Sequence, residues 1–159
     1  MRAIVLRNRA GEDVREKVLV NDWPEEETPG AGQIKTRTLF TGITNGTERN
    51  QLIRGNYAPG DEHLPAPFGY QSVGEVTEVG AGVSEFSIGD VVFTDRIPVE
   101  FPVSTVSGNV VGLPDTIDLS QAALFGMARS PGDHLRYRCT QARAGEADRR
   151  RRASYRYRW

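Results

Sequence analysis

The chain has 159 residues, a formal net charge of −1 and one cysteine, which suits one domain with a buried core, or one domain and a tail. The lone Cys139 excludes an internal disulfide and any multi-cysteine zinc site. The opening residues MRAIVLRNR lack an apolar h-region, and no apolar run reaches the roughly 20 residues that span a bilayer; the expected setting is cytoplasmic, with no membrane partner.

The small net charge conceals a division. Residues 1–128 hold 10 basic and 18 acidic residues, whereas residues 129–159 hold 10 arginines and 3 acids. An acidic body followed by a basic tail is the expected organisation. Basic residues are 18 Arg and only two Lys, Lys17 and Lys35, a bias that points to a GC-rich gene.

In chain order, Arg2–Arg7 and Val14–Val20 read as paired strands around the polar turn Asn8–Asp13. Residues 21–32 hold two prolines and two glycines and extend neither strand. Gln33–Thr41 alternates, with Ile34, Thr36, Thr38 and Phe40 on one face. Asn45–Arg54 is predicted as a short helix, capped by Asn45 or Thr47 and ended by Gly55, with Glu48 and Arg49 on its solvated face. A Pro/Gly/His loop covers 55–69, with His63 at the surface. Ser72–Val79 and Asp90–Thr94 are strands around a turn-rich stretch in which Gly80, Gly82 and Gly89 supply tight-turn geometry. Further short strands lie in Pro98–Val106 and Asn109–Pro114. Asp118 or Ser120 then caps a helix that begins at the apolar segment Ala122–Phe125. Many short strands divided by turns make the fold mainly β with short helices, a closed or nearly closed barrel.

Residues 68–94, FGYQSVGEVTEVGAGVSEFSIGDVVFT, resemble the signature stretch of the medium-chain dehydrogenase/reductase superfamily, the zinc-type alcohol dehydrogenases and their relatives. The resemblance implies a GroES-like barrel over residues 1–128, the substrate-side domain of an NAD(P)-dependent oxidoreductase, followed by a partial crossover helix. Gly80-Ala81-Gly82 is not a dinucleotide turn, because Glu85 occupies the third glycine position and no βαβ unit surrounds it.

The family's zinc ligands have no counterparts here. The Gly-Ile-Cys-Gly-Thr-Asp motif is replaced by Gly42-Ile43-Thr44-Asn45-Gly46-Thr47-Glu48, one residue longer and without cysteine. Tyr70 and Gln71 stand where the family has the His and Glu of its GHE motif, and the third ligand position falls on Met127 or Gly126. Such residues do not supply the three N, S or O ligands of catalytic zinc, and residues 95–112 lack the four-cysteine lobe. The form resembles zinc-free members, including the bacteriochlorophyllide dehydrogenase-like branch. The resemblance assigns Thr47 to proton transfer, with Tyr70 and Thr44 as further catalytic hydroxyls. Asn45 and Gln71 would line the substrate pocket, and Thr44, Asn45 and Thr47 would meet the nicotinamide. Read without the resemblance, the Thr and Asn are helix caps and Tyr70 is packing.

Beyond Ala128 the family enters its Rossmann strand. Residues 129–159 hold no apolar strand and no glycine fingerprint, so the pyrophosphate site is missing from this sequence. They read as a disordered or out-of-frame arginine-rich tail, and the chain as a truncated, inactive enzyme fragment that binds no cofactor tightly. The alternative is a non-enzymatic barrel whose Arg/Tyr/Trp tail binds nucleic acid or an anionic surface.

Overall fold

The computed structural model describes residues 1–56, 58–95, 99–108 and 110–123. Eight strands run through it: β1 (Ala3–Asn8), β2 (Arg15–Val20), β3 (Gln33–Thr41), β4 (Ala66–Pro67), β5 (Ser72–Val79), β6 (Val91–Thr94), β7 (Val103–Thr105) and β8 (Val110–Gly112). Two short helices, α1 (Thr47–Leu52) and α2 (Leu119–Ala122), join them. The strands form one sheet of order β2-β1-β4 and a second of order β7-β3-β5-β6-β8, antiparallel throughout. Residues 99–102 connect the two sheets. Ala3 bridges Val99, while Thr36 and Thr38 donate their amides to the Pro102 and Glu100 carbonyls. The result is mainly β with short helices, as the sequence predicts, curled into a half-barrel.

β3 has the bounds its alternation implies, and β5 and β6 carry the core between them. Ile34, Val76 and Val92 pack on one side, and Val73, Phe93, Ala122 and Ala123 on the other. β6 is therefore covered on both faces, which explains why Val91, Val92 and Phe93 run on without polar alternation. A third cluster, Ala3, Val5 and Val99, seals β1 against the connecting segment. Each fully buried Val or Ile contributes about 1.5–3 kcal/mol relative to exposure.

Several boundaries differ from expectation for local reasons. Register shifts fall between Lys35 and Thr36 and between Thr38 and Phe40. The second turns the strand, so Phe40 does not continue the face of Ile34 and Thr36: it is 43% exposed, beside Leu39 at 38%. α1 begins at Thr47 with Gly46 at its N-cap, not Asn45, and Gly46 has no side chain to cap with. At the other end, the left-handed residue is Arg54 (φ 55°), not Gly55, while the Gly55 amide closes on the Asn50 carbonyl at 2.8 Å. Arg54 is held there by Asp13 and Asp61. α2 starts at Leu119, earlier than its apolar run, because Asp118 accepts the Ser120 and Gln121 amides. Gly82 and Gly89 have positive φ, as turn residues should. The expectations for Leu124 to Met127, for Cys139 and for the 129–159 tail lie outside the described residues.

Arg15 braces the site from outside the sheets. Its side chain, 3% exposed, donates to the Gln51 carbonyl of α1, the Pro59 carbonyl and Asp61. The hydrogen bond from Arg15 holds the Asp61 carboxyl below its ordinary pKa. Glu16 beside Arg7, Glu25 beside Lys35, and Glu100 on the backbone and side chain of Arg2 are lowered in the same direction. A carboxylate with a folded pKa below its unfolded value adds stability above the unfolded pKa and loses it as pH falls through the folded one. Thermal melts are accordingly expected to be flat from about pH 8 to 5 and to drop below about pH 4. A Tm unchanged down to about pH 3 would contradict this arrangement.

Candidate active site

The site is the turn between β3 and α1 together with the residues that lead into β5. Gly42 lies so close to its neighbours that an added Cβ would sit 2.3 Å from the Ala123 carbonyl oxygen and 2.8 Å from Gln71 Oε1. This approach brings β3, the start of β5 and α2 to one point. The Gly42 amide donates to the Gln71 carbonyl at 3.2 Å, fixing the two segments side by side.

Thr44 is the hub. It is 5% exposed. Its amide donates to Glu48 Oε2 at 2.9 Å, and its hydroxyl donates to the same oxygen. The hydroxyl accepts from the Tyr70 phenol at 3.2 Å and from the Thr47 amide at 3.3 Å. One proton given and two lone pairs used exhaust what a hydroxyl can offer. Thr44 thus supplies the capping bond that Gly46 cannot, and Glu48 completes it by returning to the Thr44 amide.

Of the residues singled out in the sequence, Thr44 and Tyr70 are hydrogen-bonded to each other, and Thr47 joins them through its backbone. Asn45 is exposed on the same turn and Thr47 is half-buried. Gln71 is fully buried, and neither its amide oxygen nor its amide nitrogen has a hydrogen-bond partner among the described residues. Glu48 is a correction: it is 2% exposed rather than solvated, although Arg49 beside it is exposed. The missed signal was the spacing Thr44-x-x-x-Glu48, which lets an acid in the first helical turn reach back to the residue that opens it. His63 is at the surface as expected, against Glu62. Beneath the site, Ser72 and Thr94 share a buried hydrogen bond of 2.8 Å that ties β5 to β6.

Among the described residues the donor set of this turn does not fit a catalytic zinc. The Thr44 oxygen is already saturated, and Tyr70 is a phenol that spends its proton on Thr44. No group of three or more His, Cys, Asp or Glu that could hold a metal ion occurs among the described residues. Among the described residues no helix is long and apolar enough to cross a membrane.

A curled antiparallel half-barrel of this kind is the N-terminal domain of the medium-chain dehydrogenase/reductase superfamily. The chain belongs to the alcohol dehydrogenase GroES-like domain family, whose family model matches residues 30–144. Geissoschizine synthase from Alstonia scholaris is 37% identical over 63 residues, covering 40% of this chain and 16% of that protein. The crystal structure of the human synaptic vesicle membrane protein VAT-1 homolog-like protein superposes with a TM-score of 0.60 and 27% identity, over 80% of this chain and 40% of that one. Escherichia coli quinone oxidoreductase complexed with NADPH is similar in fold, with a TM-score of 0.59 and 24% identity over 77% of this chain and 36% of its own. The chain spans only 16% of the length of the curated relative.

Proposed function

We propose that this domain is the substrate-side half of a zinc-independent NAD(P)-dependent oxidoreductase acting on a carbonyl, alcohol or activated alkene. The observation that carries the reading is the Tyr70–Thr44–Thr47 constellation, in which the Tyr70 phenol and the Thr47 amide both donate to the Thr44 hydroxyl, with Tyr70 standing in the place of the GHE histidine of zinc-type relatives. Family membership supports the nicotinamide, which when bound supplies or takes the hydride. The chain's own residues then hold the substrate and move its proton. Tyr70 presents its phenol to the substrate oxygen and exchanges a proton with it. Thr47 presents its hydroxyl to the reacting group from the first turn of α1 as a second proton-transfer group. Asn45 lines the open side, and the buried Gln71 amide offers a donor and an acceptor to the substrate. Thr44 holds Tyr70 and α1 in register.

Residues 1–128 form the domain in this reading, and the arginine-rich 129–159 segment does not replace a dinucleotide-binding half. Hydride transfer in this reading requires a dinucleotide-binding half beside the domain, in a cytoplasmic setting. The test is to join the domain to a dinucleotide-binding half and measure turnover. Thr47→Ala and Tyr70→Phe are each expected to lower kcat about 10²-fold while leaving nicotinamide affinity within a few-fold, the loss typical of a positioned proton-transfer group. The active preparation should contain no stoichiometric zinc. Turnover that depends on one tightly bound zinc per chain would sink the reading.

A further inference from the structure

We propose that Glu48 is the inner end of a proton path that reaches the substrate through Thr44 and Tyr70. The inference rests on the preceding reading, in which Tyr70 faces the substrate oxygen, and adds a residue that the family motif does not mark for proton transfer.

Three observations carry it. Glu48 is a carboxylate 2% exposed, on the second residue of a helix whose next residue, Arg49, faces solvent. Its Oε2 accepts from both the amide and the hydroxyl of Thr44, and Oε1 has no partner among the described residues. Lastly, the hydroxyls between Glu48 and the substrate side have a single direction. Both lone pairs of Thr44 are taken, by the Tyr70 phenol and the Thr47 amide, so its only proton points at Glu48. Each proton from Tyr70 inward is already aligned on the next acceptor.

The step balances in both directions. When an alcohol is oxidised, its hydroxyl proton passes to Tyr70 Oη as the phenolic proton passes to Thr44 Oγ1 and the Thr44 proton to Glu48 Oε2. The electron pair of the substrate C–H bond leaves as hydride for a nicotinamide, and the carbonyl remains. In reduction the carbonyl oxygen takes the Tyr70 proton, Thr44 restores it and the Glu48 carboxylic acid refills Thr44. A capping role alone would need only an acceptor oxygen at Oε2. A role in proton transfer needs a group that can take the proton and give it back.

Glu48→Gln separates the two, since glutamine keeps the shape and an accepting oxygen for the Thr44 amide and hydroxyl but cannot store the proton. In the 159-residue chain, the Glu48 carboxyl band is located by the infrared difference between wild type and E48Q. Tyr70→Phe is expected to shift that band, and the shift should vanish in a Thr44→Val background. A Glu48 band indifferent to Tyr70 overturns the path. In the domain joined to a dinucleotide-binding half, E48Q should retain KM and lower kcat roughly 10²-fold, with Glu48→Asp recovering part of the loss. Wild-type kcat in a folded E48Q protein overturns the proposal while leaving the oxidoreductase reading intact. Absence of turnover in the wild type overturns that reading and the catalytic use of the path with it, whatever the infrared coupling shows.

Discussion

Titration of the 159-residue chain with NADH or NADPH is expected to show no saturable binding below about 1 mM. In the function proposed above, the described residues offer a nicotinamide one wall, the turn from Thr44 to Thr47, to which Tyr70 is hydrogen-bonded. Dinucleotides gain much of their affinity from the pyrophosphate, held by a glycine-rich turn at a helix N-terminus within a βαβ unit. The sheets of this domain are antiparallel throughout, and its Gly80-Ala81-Gly82 segment is a turn after β5 that leads to no helix. Micromolar cofactors bind with about 8 kcal/mol and millimolar ones with about 4, so loss of the anchor corresponds to about 4 kcal/mol. Calorimetry with both nucleotides measures the difference directly. Micromolar binding by this chain would require an anion site that the antiparallel half-barrel does not contain among its described residues.

Gly42→Ala is expected to destabilise the chain by about 3 kcal/mol, the upper range for forcing extra volume into a packed site. The added methyl would sit 2.3 Å from the Ala123 carbonyl oxygen, a backbone atom, and 2.8 Å from Gln71 Oε1. A flexible side chain could swing away, but the carbonyl can retreat only if α2 moves. α2 ends in Ala122 and its C-cap Ala123, which close the core against Val73 and Phe93. The substitution therefore trades a clash for an opened core. Gly46→Ala is the internal control, because nothing lies within 4 Å of the Cβ it would add. Chemical denaturation of the two variants should separate them clearly. Equal midpoints would show that α2 does not pack on Gly42 as described.

What the sequence disclosed follows from how local each feature is. β3, β5 and β6 were legible because alternation, or a short apolar run between turns, is decided by neighbouring residues. The bulge before Phe40 was not, since a register shift depends on the partner strand and leaves no mark in β3 alone. The turn of Thr44 to Thr47 was found through family resemblance. Its internal wiring was hidden, because the composition of GITNGTE fits a solvated cap as well as a buried one. Glu48 was misplaced for the same reason: helical periodicity puts an acid of the first turn outside unless something covers it. Here the turn itself and Tyr70 stand over Thr44, and Glu48 is sealed beneath it. Asp118 was read correctly as a cap, while the start of α2 was set too late because apolar residues were taken as its beginning.

Arg15 has a consequence for how the domain breathes. One guanidinium, at the start of β2, holds the Gln51 carbonyl 36 residues along the chain and the loop at Pro59 and Asp61, 44 and 46 residues along. Fraying of α1 and opening of that loop therefore break bonds to the same group. The two motions share a free-energy cost and belong to a single cooperative unit. Amide protons in both segments should exchange with solvent together, at a rate set by release of the Arg15 side chain rather than by the length of a six-residue helix.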